Sequence, residues 1–247
     1  AYEIMSSDWS SDVALPISKG LPVYLAGIVD TRRGTDSARN ERPMANRDIV
    51  VVGASAGGLE TLTELVAALP VDLPASVFVV QHTAPHPPSI LAEVLDRHSP
   101  LPTETAGDRQ PIQKGHIYVA PSDYHLLVDR SYTYITRGPR ENRTRPAIDP
   151  LFRSAAVVHG PHVIGVILSG TLDDGTSGLA AVKRCGGVAV VQDPADATYP
   201  DMPQNALDAV EVDHCVALRE MGGLLARLSA QEPGSPSPPP VELLGEV

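Results

Sequence analysis

The sequence predicts an α/β domain with a doubly wound, mostly parallel sheet, helices on both faces and an antiparallel hairpin insertion. Three observations predict it. Short runs rich in Val and Ile alternate with stretches of helical spacing, which is the βα repeat of a parallel sheet. The chain is 43% hydrophobic but only 4% aromatic, so its core must be Val, Leu, Ile and Ala, as in β-branched strands under Ala/Leu helices. Between His116 and Thr136 the texture changes to runs joined by tight polar turns, which read as antiparallel hairpins. A length of 247 residues suits one such domain plus tails, since single domains split beyond roughly 250–300 residues.

Residues 1–46 carry no sustained period and read as a flexible arm, with Met44 a candidate start codon. The apolar stretch 21–29 is too short to span a bilayer, is broken by Pro22 and Tyr24, and is not read as a signal peptide. The domain proper is expected over 47–229. It opens with a strand at 49–52 and a helix at 57–69, whose Leu59, Leu62, Leu65, Val66 and Leu69 recur at helical spacing before Pro70 and Pro74. A strand at 77–80 and a helix at 89–97 follow. The runs 116–120, 125–128 and 132–136 form the hairpin region. A helix at about 150–159 leads into a strand at 163–168, and a helix at 176–185 stops at Gly186-Gly187. A strand at 188–192 and helices at 203–209 and 220–228 complete the domain. The Pro/Ser-rich composition of 231–240 cannot pack a core, so 230–247 reads as a tail.

The net charge of −11 repels phosphate backbones and excludes nucleic acid as a partner. No apolar run approaches the ~20 residues of a membrane span, so direct membrane insertion is not expected. Cys185 and Cys215 make no disulfide framework and read as free thiols of a cytoplasmic protein.

The chemistry gathers at strand ends. Val50-Val51-Val52-Gly53-Ala54-Ser55-Ala56-Gly57-Gly58 is a buried strand running through Gly-x-Ser-x-Gly into a helix. Small residues let the chain turn sharply there, and a helix N-terminus directs free N–H groups at the serine, the setting a nucleophile needs. A dinucleotide fingerprint is the rival, but Ser55 occupies its second glycine position and no acidic residue ends the next strand. His82 ends it instead. In a parallel sheet Ser55 and His82 then share the carboxyl edge, where ligands of open α/β sheets bind. The stretch 165–175 brings a further buried strand to a glycine-rich turn with two aspartates, Asp173 and Asp174. Either could hold the histidine tautomer, and either could cap the helix that follows. The chain order Ser, His, Asp excludes the α/β-hydrolase fold, which runs Ser, Asp, His.

The stretches GASAGG, VVQH, YVAPSDYHL, RPAIDPLFRSAA, GVILSGTLDDGTSGL and VVQDPADATYPDMPQNAL, in this order over residues 47–228, resemble the catalytic domain of the chemotaxis protein-glutamate methylesterases, CheB. The resemblance implies Ser55 as nucleophile, His82 as base and Asp174 as orienting acid. It implies no metal or organic cofactor. Its substrates would be glutamate methyl esters on chemoreceptor signalling helices, with glutamine deamidation as a second activity. The family usually carries an N-terminal receiver domain that 46 residues cannot form, so regulation by phosphorylation within this chain is not expected. Where the family reads Gly-Met-Gly-x-Asp-Gly, this chain has Gly170-Thr171-Leu172-Asp173-Asp174-Gly175.

Backbone N–H groups of Ala56 and Thr171 are the candidates for holding an oxyanion. The loop 137–145 carries four arginines against one glutamate; Arg140 and Arg143 are candidates for docking an acidic substrate helix, against the plainer reading of a solvated loop. His82 and His86 have an i, i+4 spacing that suits a metal, but Pro85, Pro87 and Pro88 exclude a helix across them. His125 reads as structural and Cys185 as packing. The alternative to an enzyme is a catalytically inactive receptor-binding module of the same fold.

Overall fold

A computed structural model describes residues 46–83, 90–235 and 238–245. The arm expected over 1–46 lies almost wholly outside the described residues, as does His86. The chain alternates β1 (Ile49–Ala54), α1 (Gly58–Ala67), β2 (Ser76–Gln81) and α2 (Leu91–Asp96). Five strands follow: β3 (Thr103–Thr105), β4 (Gln110–Pro111), β5 (Ile117–Val119), β6 (His125–Val128) and β7 (Tyr132–Thr136). The closing half runs α3 (Ile148–His159), β8 (Val163–Ile167), α4 (Thr176–Arg184), β9 (Val188–Gln192), α5 (Asp201–Ala209), β10 (His214–Val216) and α6 (Leu218–Ser229).

Seven strands form one parallel sheet in the order β10-β9-β8-β1-β2-β5-β3. All six residues of β1 are buried, and alternate ones enter opposite cores. Val50 and Val52 pack with Leu62, Leu65, Leu95, Met221 and Leu225, from α1, α2 and α6. Ile49 and Val51 pack with Ile148, Phe152, Leu179 and Met202, from α3, α4 and α5. A strand buried on both faces reads as a continuous apolar run, which is why the parallel strands stood out in the sequence. Within α1 the helical period overreaches by one residue, since Leu59 is exposed.

The hairpin insertion is a separate three-stranded antiparallel sheet, β4-β7-β6. One of the expected hairpin runs does not belong to it. Ile117–Val119 lies between β2 and β3 in the parallel sheet, with Ile117 and Val119 in one core and Tyr118 in the other. Its tight flanking turns suggested a hairpin, while its apolar character on both faces placed it in the central sheet. Beyond the Pro-rich stretch, Val241–Gly245 forms a 3-10 turn whose Leu243 is buried in the α3 side of the core. No helix among the described residues is long and apolar enough to cross a membrane.

The strand order reverses at β1. Chain connections run outward through β2 on one side and through β8 and β9 on the other. The carboxyl ends of β8, β1 and β2 therefore open side by side at the switch point, where open α/β sheets form their ligand crevice.

Candidate active site

Ser55 follows β1 and His82 follows β2; Asp174 lies in the turn between β8 and α4. Backbone hydrogen bonds bind these ends together. Ser55 N–H donates to Ser169 O at 3.0 Å and His82 N–H to Ala54 O at 3.2 Å. Gly57, with φ of 71°, turns the chain into α1. At Gly58 an added Cβ would overlap the Gln81 carboxamide, whose Nε2 donates to Ser55 O at 2.6 Å and to His82 O at 3.2 Å. Glycine at 58 thus leaves room for the side chain that holds the backbone of both residues.

The side chains converge. Ser55 Oγ lies 2.9 Å from His82 Nδ1, and His82 Nε2 lies 2.6 Å from Asp174 Oδ2. Because a carboxylate only accepts, Nε2 carries the proton and donates it, which leaves the Nδ1 lone pair to accept from the serine hydroxyl. Asp174 is fully enclosed, at 3% side-chain exposure. Burial pushes its carboxyl toward the neutral form, but the His82 hydrogen bond, the Ile148 N–H at 2.8 Å and the Asn142 amide at 2.6 Å outweigh this and hold it below the usual carboxylate range. Asp173 takes no part in this chain of contacts. Neither aspartate side chain caps α4: its N-cap is Gly175, and Asp173 contributes a backbone carbonyl to Thr176 N–H.

Ala56 opens the turn into α1, and Thr171 is exposed across from it after β8. Among the described residues neither of their N–H groups has an acceptor. Leu172, at the position of a glycine in the resembled motif, takes φ of 66° and is held there by Asn205 Nδ2 on its carbonyl at 2.8 Å. A leucine in that region costs about 1–3 kcal/mol, which the surrounding loop must offset.

The arginine-rich loop divides into two pairs. Arg137 and Arg145 both clamp Asp123, Arg145 with 2.7 Å and 3.0 Å contacts, and Arg145 also donates to Gly138 O at 2.7 Å. His125 adds a second tie, with Nε2 donating to Pro139 O at 2.9 Å and Nδ1 accepting from Ala147 N–H at 3.2 Å. Arg140 and Arg143 face outward instead. They join His82, Thr83, Thr144 and Arg145 around a pocket of about 220 Å³. Between them the chain makes a tight turn, with Asn142 at φ 48° and Arg143 at φ 65°, closed by Thr144 N–H on Glu141 O at 2.8 Å. Two successive positive φ values are those of a type I′ turn, in which asparagine is favoured.

Asp123 is thus the anchor of the pocket wall. Its two arginines, Arg145 foremost, hold its carboxyl below the usual range. The clamp is complete above about pH 4 and opens only as pH falls through that lowered value. Asp123→Ala is expected to speed tryptic cleavage after Arg140 or Arg143 by tenfold or more, on the order of one lost charge-assisted contact pair. Digestion at the wild-type rate would mean that His125 alone holds the loop.

Sequence reasoning missed several residues of this site. Asn142 and Thr144, whose Oγ1 is 3.4 Å from His82 Nε2, lie in a loop read only for its charge. Ser169 was passed over as part of a glycine-rich turn, yet it is fully buried, donates Oγ to Ala56 O and accepts Tyr199 N–H, both at 3.0 Å. A polar residue amid a buried run, as in Ile167-Leu168-Ser169, was the available signal. Among the described residues no group of three or more His, Cys, Asp or Glu is placed to hold a metal ion.

Comparison with known proteins gives the family and the fold. The family model described as CheB methylesterase matches residues 50–225. A protein of Leptospira interrogans described as a protein-glutamate methylesterase/protein-glutamine glutaminase is 36% identical over 184 residues, covering 74% of this chain and 95% of that protein. One of Xanthomonas campestris with the same activities is 37% identical over 187 residues, and there the chain spans about half the relative, 52%. The crystal structure of the Thermotoga maritima CheB methylesterase catalytic domain superimposes with a TM-score of 0.71 at 31% identity, covering 73% of this chain and 98% of that one. With the fold, the ordered motifs and most of the domain's length in agreement, this chain belongs to the CheB methylesterase family.

Proposed function

We propose that this chain is a serine hydrolase that removes methyl groups from glutamate methyl esters on the cytoplasmic signalling helices of chemoreceptors, and that it also deamidates glutamines there. The single observation that carries the reading is the continuous path Ser55 Oγ–His82–Asp174 at the switch point of the sheet. Residues 47–229 make the catalytic unit, and the protein works in the cytoplasm, where those helices lie.

In the first step His82 Nδ1 takes the Ser55 proton as Oγ attacks the ester carbonyl. The Ala56 and Thr171 N–H groups, which have no other acceptor among the described residues, receive the oxyanion. A donor of this kind is typically worth ~2.7–4 kcal/mol to the transition state. The imidazolium, held by Asp174, then returns the proton to the departing methoxide, and methanol leaves. Water, deprotonated by the same nitrogen, releases glutamate from the acyl-enzyme. For a glutamine the departing group is ammonia. The test is methanol release from methylated receptor membranes, with a fluorophosphonate probe as a direct label of Ser55. Wild-type protein that releases no methanol and takes up no probe would refute the reading.

Arg140 and Arg143 are assigned to substrate docking. They are exposed cations at the mouth of the pocket beside His82, in a chain of net charge −11, and they suit acidic side chains that flank the ester on a receptor helix. Replacing both by Ala is expected to raise KM roughly threefold to tenfold with kcat unchanged, an effect that fades at high salt. An unaltered KM at low ionic strength would remove them from the site.

A further inference from the structure

The Asp149 carboxylate is a buried group that the acyl-transfer steps do not use. It stands in the first turn of α3 at 5% exposure, beside Asp174. One nitrogen serves both: Asn142 Nδ2 lies 2.8 Å from Asp149 Oδ2 and 2.6 Å from Asp174 Oδ1. Apart from His82 Nε2 on Asp174 Oδ2, the remaining donors are backbone groups. Gly178 N–H reaches Asp149 Oδ1 at 2.6 Å, Ile148 N–H reaches Asp174 Oδ2 at 2.8 Å, and the N–H of Asp149 itself reaches Asp174 Oδ1 at 3.3 Å. The charged and titratable groups around the pair are His82 from the end of β2 and Arg153 along α3, the latter bound to Glu141 at 2.6 Å.

We propose that Asn142 is a positioning residue whose amide bridges Asp149 and Asp174, so that both stay ionised and Asp174 stays aimed at His82. The inference rests on the hydrolase reading above. Two carboxylates sharing one site normally share a proton, unless donors are placed between them. Burial, and then the Asp174 charge, push the Asp149 carboxyl above its usual range, and the Gly178 N–H, the Asn142 amide and the Arg153 charge, in that order, oppose the rise. Asparagine is suited to the position twice over. Its NH₂ offers two protons from one nitrogen, where serine or threonine offers one. Its backbone accepts the left-handed φ of the turn. The residue is exposed, so the reach of its amide into two buried carboxylates is not a by-product of core packing.

The test uses Asn142→Gly, which keeps the positive φ and removes the amide. Methanol release is expected to lose kcat by a factor on the order of 10–100 at unchanged KM, because the carboxylate drifts from His82. Adding Asp149→Asn in the same chain removes the opposing charge, places an amide beside Asp174 and is expected to restore most of kcat. Carbon-13 NMR of the aspartate carboxyl groups is expected to place the upper ionisation of the pair about one pH unit higher in Asn142→Gly than in wild type. A role confined to shaping the turn would leave that titration unmoved and would gain nothing from a change at 149. The proposal is overturned by an unmoved titration, by an unchanged kcat, or by a loss that Asp149→Asn does not recover. Should wild-type Ser55 take no fluorophosphonate, the hydrolase reading fails separately, and the titration alone then decides the bridge.

Discussion

Ser55→Ala is expected to fold as the wild type does and to lose methanol release by a factor on the order of 10⁶. The size follows from how the three side chains are linked. With Oγ gone, His82 Nδ1 has no hydroxyl to deprotonate, and the Asp174 contact holds an imidazole that acts on nothing. A triad that acts as a unit loses nearly its whole contribution when its nucleophile is removed, and what remains is the rate that the oxyanion donors and binding alone supply, roughly 10³–10⁴ over water. The fold has little stake in the hydroxyl. Among the described residues its hydrogen bond is to His82, whose side chain is 17% exposed, so water can satisfy the nitrogen left behind. Thermal unfolding should therefore move little, since a surface-accessible contact of this kind is usually worth within ±0.5 kcal/mol. The measurement is methanol release and fluorophosphonate labelling on the same preparation. Retention of either at the wild-type level would show that another residue is the nucleophile.

The strand ends were legible because a doubly wound sheet obeys a simple rule. A continuous apolar run is a buried parallel strand, and the polar residue that ends it stands at one edge. That rule places Ser55 and His82 together, and β1, β2, β8 and β9 lie within a residue or two of the expected bounds. The choice between Asp173 and Asp174 was not legible from pattern alone, since both sit in one glycine-rich turn, and it rested in part on the resemblance. Short strands escaped for a different reason. Thr103–Thr105 and His214–Val216 have three residues each and carry partners, not periodicity, into the sheet. The loop 137–145 exposed the limit most clearly. Four arginines read as one patch, yet Asp123, 14 and 22 residues away from its two partners, ties down Arg137 and Arg145 and leaves Arg140 and Arg143 facing outward at the pocket that Arg145 also lines. Nor could sequence place Asn142 against Asp174, 32 residues on, because that contact depends on a type I′ turn lacking the usual Asn-Gly signature.

Asp174→Asn should reduce kcat on the order of 10⁴-fold while leaving Ser55 in place. All four groups around the Asp174 carboxylate are donors: His82 Nε2 and Ile148 N–H on Oδ2, Asn142 Nδ2 and Asp149 N–H on Oδ1. An asparagine can offer its oxygen to only one of these pairs. If its NH₂ faces Asn142 and Asp149 N–H, donors oppose donors in a buried site, an unmet demand that costs about 1–3 kcal/mol. If it faces His82, the imidazole must present a lone pair at Nε2 and move its proton to Nδ1. That nitrogen then donates toward Ser55 and can no longer take its proton. The backbone N–H at Ile148 would meet the same NH₂, so this arrangement is penalised as well. Because Asp174 holds its carboxyl below the usual range, the wild-type contact is fully present above about pH 4, and the loss in the variant should hold across the neutral range. Raising pH offers one distinction: hydroxide can assist a serine that lacks its base, so the deficit should narrow in alkali. A pH–rate profile of Asp174→Asn that parallels the wild type at near-equal kcat would mean that the carboxylate, though 2.6 Å from the imidazole, does not set its tautomer.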